Sequence, residues 1–215
     1  MPATPDAFDQ STYQVRLEWG IEGLARLAPA DVIVVVDVLR FSTTVIRALE
    51  DGAEFPLDDA ARAVSINGAV VAQAAAGTGV VLLGALRNAS AVATAVVAEQ
   101  ERRGGRTSVA VIAAGERTSS DAASPLRFAV EDFLGAGAVI AALADRGIDH
   151  SSPEAAAAAE SFRALRGAAR HLLTASGSGR ELADRRDEVQ AAAAVDAASV
   201  VPVLRGGVFV ALSGD

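Results

Sequence analysis

Asp31-Val32-Ile33-Val34-Val35-Val36-Asp37-Val38-Leu39-Arg40-Phe41-Ser42-Thr43-Thr44 decides the fold class of this chain. From Val32 to Val36 every position is β-branched and apolar. A strand with one wet face would alternate, so this run predicts a central strand of a parallel sheet covered on both faces. Asp37 ends the run, and a helix is predicted over 42–49, stopped by Asp51-Gly52.

The same strand-then-helix rhythm recurs on either side. Tyr13-Gln14-Val15-Arg16-Leu17-Glu18-Trp19 alternates as a half-buried strand and leads into a short helix over 20–27, stopped by Pro29. A strand over 79–83 leads into a helix over 88–103, with Asn88 as N-cap and Arg102-Arg103 at its negative end. A strand over 108–112 passes through Gly115-Glu116-Arg117 and a polar loop over 118–123. Ser124-Pro125 then signals a helix start, with the helix running to about residue 145. Ala-rich helices are predicted over 153–198, broken by Ser176-Gly177-Ser178-Gly179. The chain closes with a β-hairpin around Arg205-Gly206-Gly207. Strands alternating with helices predict an α/β fold, a three-layer α/β/α sandwich on a mostly parallel or mixed sheet. Residues 1–215 read as one α/β domain, at most two intimately packed subdomains.

Composition narrows the chemistry. Of 215 residues 51% are hydrophobic and 21% charged, which excludes a chain disordered along most of its length. The net charge of −8 opposes nonspecific binding to nucleic acid or an anionic membrane, so any anionic substrate needs a local positive cluster. Lysine is absent, which removes Schiff-base and P-loop lysines; cysteine is absent, which removes thiolates and disulfides. Only His150 and His171 could serve as imidazoles, the first in a predicted loop and the second on a predicted helix. Met1 to Gln10 lacks a basic residue and an apolar core, so no export signal is read there, and a cytoplasmic protein is expected. The stretch 63–86 carries no charge, yet Asn67-Gly68, Gln73 and Gly77-Thr78-Gly79 interrupt it. A buried helix, a turn and a buried strand explain it without a membrane span.

Ligands of open parallel sheets lie beyond the carboxyl ends of the strands. At the first such end Asp37 suits a divalent cation or attack on phosphorus, and Arg40 can fork onto phosphate oxygens. Ser42, Thr43 and Thr44 then open a helix whose free N–H groups favour an anion. The structural alternative is that Ser42 only caps that helix. At the second end lie Glu116, Arg117, Arg127 and the pair Glu131-Asp132. Both carboxylates could reach one metal from the helix side, or Arg127 and Glu131 could form an ordinary i,i+4 ion pair. The apolar stripe through Leu126, Val130 and Phe133 sets Glu131 and Asp132 beside and opposite the core face. The third end offers Arg87 and Asn88, with Asn67-Gly68 opening the preceding helix; a cap and a turn account for them equally. Gly77-Thr78-Gly79 precedes its strand and so fails the dinucleotide fingerprint, and no Walker A sequence is present.

Taken together, Val34 to Thr44, Asn67-Gly68, Leu86-Arg87-Asn88-Ala89, Ala114-Gly115-Glu116-Arg117 and Val130-Glu131-Asp132-Phe133-Leu134-Gly135-Ala136-Gly137 resemble, in this order, the 2-phosphosulfolactate phosphatase family. Ser178-Gly179-Arg180-Glu181-Leu182 and Val200-Val201-Pro202 resemble it too, so the likeness spans nearly the whole chain. The resemblance implies a Mg²⁺-dependent acid phosphatase that removes phosphate from 2-phospho-3-sulfolactate, on a route to coenzyme M. It implies Asp37, Glu131 and Asp132 as metal ligands, and Asp37, Arg40, Glu131 and Asp132 as the catalytic set. Ser42, Thr43, Thr44, Asn67, Gly68, Arg87, Asn88, Glu116, Arg117 and Arg127 become candidates for holding a small anionic phosphoester. Asp37 is read either as nucleophile or as metal ligand only. A non-catalytic binder of a phosphorylated metabolite is the alternative, and a homodimer is the assembly considered.

One departure stands out. Family members place a further strand, a loop and a Ser-Pro segment before the Asn-Gly motif, whereas here Ala63-Val64 abuts Ser65-Ile66-Asn67-Gly68. Consecutive Cα atoms lie about 3.80 Å apart, and a violation of that spacing is expected between Ala63 and Asn67, at Val64–Ser65.

Overall fold

In the computed structural model, which describes residues 7–117 and 124–212, strand β2 (Val32–Val36) is buried at all five positions. Val32, Val34 and Val36 join one apolar cluster, and Ile33 and Val35 join a second on the opposite face. This division follows from the strand's period of two. β2 pairs in parallel with β4 (Val80–Gly84) on one side and β5 (Val109–Ala113) on the other, and β1 (Val15–Trp19) pairs in parallel with β5. The C-terminal hairpin of β8 (Pro202–Arg205) and β9 (Val208–Ala211) adds antiparallel to β4, and β3 (Phe55–Pro56) pairs with β9. The order β1-β5-β2-β4-β8-β9-β3 is a mixed seven-stranded sheet with a parallel core.

Helices α1 (Gly20–Arg26), α2 (Phe41–Glu50), α3 (Asp59–Val64) and α4 (Gly68–Ala75) contribute to the cluster on one face. Helices α5 (Ala89–Arg103), α6 (Val130–Ala144), α7 (Pro153–Leu165), α8 (Ala169–Ala175) and α10 (Arg186–Ala192) contribute to the other, with the short α9 (Gly177–Glu181) between α8 and α10. The predicted three-layer α/β/α sandwich is therefore observed. Among the described residues no helix is long and apolar enough to cross a membrane; the uncharged stretch 63–86 divides among the end of α3, α4 and β4.

Several local expectations are corrected. Helix α6 starts at Val130, not at Ser124-Pro125. Leu126-Arg127 instead form β7, paired antiparallel with β6 (Glu116–Arg117), so a sheet ladder takes the backbone groups that the helix start would have used. Gly115, at φ +71°, begins the reversal. The polar loop expected over 118–123 and the residues 1–6 of the expected leaderless N-terminus lie outside the described residues. Asn88 occupies the N-cap position of α5 as expected but makes no capping bond: its side chain accepts from Ala85 N and donates to the carbonyls of Leu83 and Val200. Ser176-Gly177-Ser178-Gly179 is the start of α9, with Ser176 Oγ accepting from Gly179 N. The expected break at Val64–Ser65 is absent: α3 runs to Val64, and Ser65 N donates to Ala61 O at 3.2 Å as the helix ends.

Helix α6 is buried nearly all round, and two of its glycines permit that. A Cβ on Gly137 would stand 2.2 Å from the backbone oxygen of Ala158 in α7, and one on Gly135 2.5 Å from Val38 Cγ2. Replacing Gly137 by Ala gains up to about 1 kcal/mol of helix propensity but forces two packed helices apart, a cost of about 1–3 kcal/mol or more. Gly137→Ala is therefore expected to lower the urea midpoint, with a net loss of about 1–2 kcal/mol and an unchanged m-value.

Candidate active site

Asp37 follows β2 directly, and its carboxylate is sealed by the starts of two helices. Oδ1 accepts from Phe41 N, the first residue of α2, at 3.1 Å; Oδ2 accepts from Gly68 N, the first residue of α4, at 3.0 Å, and from Ser65 Oγ at 2.5 Å. The approach of α4 is so close that a Cβ on residue 68 would lie 2.5 Å from Asp37 Oδ2. Gly68 is thus a packing requirement of the Asp37 carboxylate. Burial holds the Asp37 carboxyl above its ordinary range, against the opposing bonds from Ser65, Phe41 and Gly68.

Asp132, in the first turn of α6, bridges two strand ends. Its Oδ1 accepts from Val38 N at 2.7 Å, beyond β2, and its Oδ2 from Gly115 N at 2.9 Å, beyond β5. Burial raises its carboxyl well above the usual range, and the charges of Asp37 and Glu131 push the same way. Glu131 is also buried, accepts from Ser178 Oγ, and is raised chiefly by burial. The expectation that Glu131 and Asp132 lie beside and opposite the core face is corrected: at 2% and 3% exposure both are enclosed. The Arg127–Glu131 ion pair is not formed, because Arg127 reaches Glu116 Oε2 at 3.0 Å across the β6–β7 ladder.

Glu131 and Asp132 open on a cleft of about 440 Å³. Leu39 and Arg40 form one wall, 63–67 a second, Gly115, Glu116 and Arg117 a third, and Ser178, Glu181, Leu182 and Arg185 the last. Asp37 lies beneath the second wall, bonded to Ser65. Two buried polar atoms on this lining have no hydrogen-bond partner among the described residues, the donor Arg40 Nε and the acceptor Asn67 Oδ1. A separate hollow of about 260 Å³ beside α1, lined by Leu24, Leu27 and Ile33 among others, carries no titratable group.

The cleft therefore brings together Arg40, Asn67, Glu116, Arg117, Glu131 and Asp132, with Asp37 and Gly68 under its wall. The other sequence candidates lie apart from it. Ser42 Oγ accepts from Asp37 N and donates to Val35 O, and Thr43 Oγ1 donates to Val38 O, so both pin the β2–α2 turn from inside. Thr44 lines a neighbouring hollow of about 240 Å³ with Thr43 and Arg47. Arg87 donates to Ala191 O and Glu50, while Asn88 is fully buried among strand ends. Neither histidine lines the cleft.

Residues 58–207, from the α3 cap into the C-terminal hairpin, match the 2-phosphosulpholactate phosphatase family. The chain belongs to that family. It is accordingly a phosphoric monoester hydrolase, and its substrate is a small phosphoester. No curated protein sequence matches the chain at a significant level. The family match contains the α3–α4 junction, Glu131, Asp132 and the α9 wall, while Asp37 and Arg40 precede it and are tied to the cleft by geometry.

Sequence reading of this phosphatase missed Ser65, Ser178, Glu181 and Arg185. Ser178 and Glu181 sit in the block that carried part of the family resemblance, but no spacing rule marks them as site residues. Ser65 and Arg185 become visible only once the elements are packed. In this site Gly68→Ala is expected to destabilise the protein by about 1–3 kcal/mol in chemical denaturation, because the added methyl must displace the Asp37 carboxylate or the start of α4.

Proposed function

We propose that this protein is a Mg²⁺-dependent phosphomonoesterase that hydrolyses a small, multiply anionic phosphoester such as 2-phospho-3-sulfolactate to the hydroxy acid and phosphate. The observation that carries the reading is the composition of one polar cleft. Two buried carboxyl groups held above their ordinary range, Glu131 and Asp132, line it with the residues of an unpartnered guanidinium Nε and an unpartnered amide oxygen, and a third, Asp37, lies beneath its wall.

The donors fit a hard divalent cation. Carboxylate and amide oxygens are its preferred ligands, and like-charged carboxyls without a counter-charge are relieved by one. Among the described residues no three acidic or imidazole groups form a preformed cage. That suits magnesium, which is commonly held by one or two carboxylates and completed by water and substrate phosphate. Of the proposed ligands Asp37, Glu131 and Asp132, one or two would hold it directly, with water and substrate phosphate completing its shell. Bound there, the ion would offset phosphoryl charge and orient the attacking oxygen.

The chain's own groups do the rest. Phosphoryl transfer demands positioning and charge stabilisation more than covalent chemistry from the protein. Arg40 lines the cleft and keeps a buried Nε–H without a partner, so its guanidinium is free to make a charge-assisted bond to a phosphoryl oxygen. Asp132 fixes the Val38 and Gly115 backbone that frames the cleft, and the α2 and α4 starts hold Asp37 in one orientation. A cytoplasmic setting and a place on a route to coenzyme M are part of the same proposal.

The test is release of inorganic phosphate from a panel of phosphoesters with and without Mg²⁺. Asp37→Asn is expected to abolish release with an unchanged circular dichroism spectrum, since volume is kept and charge is lost. Near-normal turnover in that variant would move the chemistry elsewhere. Arg40→Lys is expected to lower kcat/KM at least tenfold, because a point charge cannot reproduce a bidentate fork. Independently of turnover, Mg²⁺ at a hundredfold excess over its Kd is expected to raise Tm by about 5–10 °C, and Asp37→Asn to remove most of that rise.

A further inference from the structure

Resting on the phosphatase reading, we infer that Arg185 is a specificity-determining residue of this enzyme: it binds the second anionic group, carboxylate or sulfonate, of the phosphoester. Such a substrate brings more negative charge than its phosphate alone. The cleft that receives it already carries Glu116, Glu131, Asp132 and Glu181. A second cationic partner is required, and the arginines nearest in sequence to the strand ends are already engaged. Arg87 is held by Glu50 at 3.2 Å and Ala191 O at 2.8 Å. Arg117 donates to Ser124 O at 2.6 Å and pairs with Glu22 at 3.3 Å, and Arg127 is tied to Glu116.

Arg185 is different. It stands just before α10, half-exposed, and lines both the 440 Å³ cleft and the adjoining 240 Å³ hollow. Leu39 and Arg40 line both as well, so Arg40 and Arg185 flank the ridge where the two join. The carboxylate contacts of these two guanidinium groups are the loosest ion pairs among the described residues, 3.9 Å from Arg40 to Glu188 and 4.0 Å from Arg185 to its neighbour Asp184. Neither distance is a hydrogen bond. A phosphoester with two acidic groups a few ångströms apart meets one fork at Arg40 and the other at Arg185. The planar guanidinium suits carboxylate and sulfonate alike, because both offer two coplanar acceptor oxygens to a fork.

The experiment compares kcat/KM for 2-phospholactate, which carries a second anionic group, with that for glycerol 2-phosphate, whose body is neutral. Both are measured in the wild type, Arg185→Gln and Arg185→Lys, with circular dichroism confirming that each variant folds. The wild type is expected to prefer 2-phospholactate. In Arg185→Gln that preference is expected to shrink roughly ten- to a hundredfold, chiefly through KM, the size of a lost charge-assisted bond. Arg185→Lys is expected to recover part of it. A preference ratio unchanged in Arg185→Gln, with the wild type active, overturns the assignment and leaves the phosphatase reading standing. A wild type that releases phosphate from neither of these esters nor from 2-phospho-3-sulfolactate overturns both.

Discussion

The Asp132 carboxylate is the contact on which the site depends. One oxygen takes the N–H beyond β2 and the other the N–H beyond β5, so a single side chain sets the spacing of two neighbouring strand ends. Each such bond to a charged group contributes about 1.5–3 kcal/mol, which offsets part of the cost of enclosing the carboxylate. It does not offset the presence of Asp37 and Glu131, whose charges push the Asp132 carboxyl further up. The fold thus tolerates an acidic concentration that packing alone would reject. A protein that keeps so many buried carboxyls at one place trades stability for chemistry.

That contact exists because α6 lies unusually close to the sheet. Gly135 lets the helix rest on Val36 and Val38, and Gly137 lets α7 rest on the helix in turn. A longer side chain at either position would lift the first turn of α6 and draw Asp132 away from Val38 N. The valine-rich β2 supplies the flat apolar surface for this approach, and its burial on both faces leaves the strand end as the only polar opening.

The cleft's electrostatics follow from how its arginines are partnered. Arg117 and Arg127 close the β6–β7 corner through Glu22 and Glu116, while Arg40 keeps a buried donor unmatched. The wall contributed by α9 places Ser178 between Glu131 and Glu116. On the proposed reading the substrate would be held by a small number of unspent donors inside an acidic protein, so that the net charge of −8 need not oppose an anionic ligand.

By itself the sequence determined the layered α/β architecture, the four parallel strands, the C-terminal hairpin and most helices, because burial on both faces of a parallel strand is written as an unbroken β-branched run. It also offered Asp37, Arg40, Glu131 and Asp132 as candidates, though spacing alone left a helix cap and an i,i+4 ion pair open and the family resemblance is what favoured them. Where the helix after Gly115 begins was not legible: the Ser124-Pro125 signal is strong, but the pairing of Leu126 with Arg117 prevails. Nor was the work of the arginines, because each chooses its partner across the fold, Arg87 from Glu50 and Arg127 from Glu116. Ser65 reaches Asp37 over 28 residues and Ser178 reaches Glu131 over 47. Only the tertiary structure decides such contacts, since a polar side chain's role depends on which group is left unsatisfied beside it, and local sequence carries no record of that neighbour.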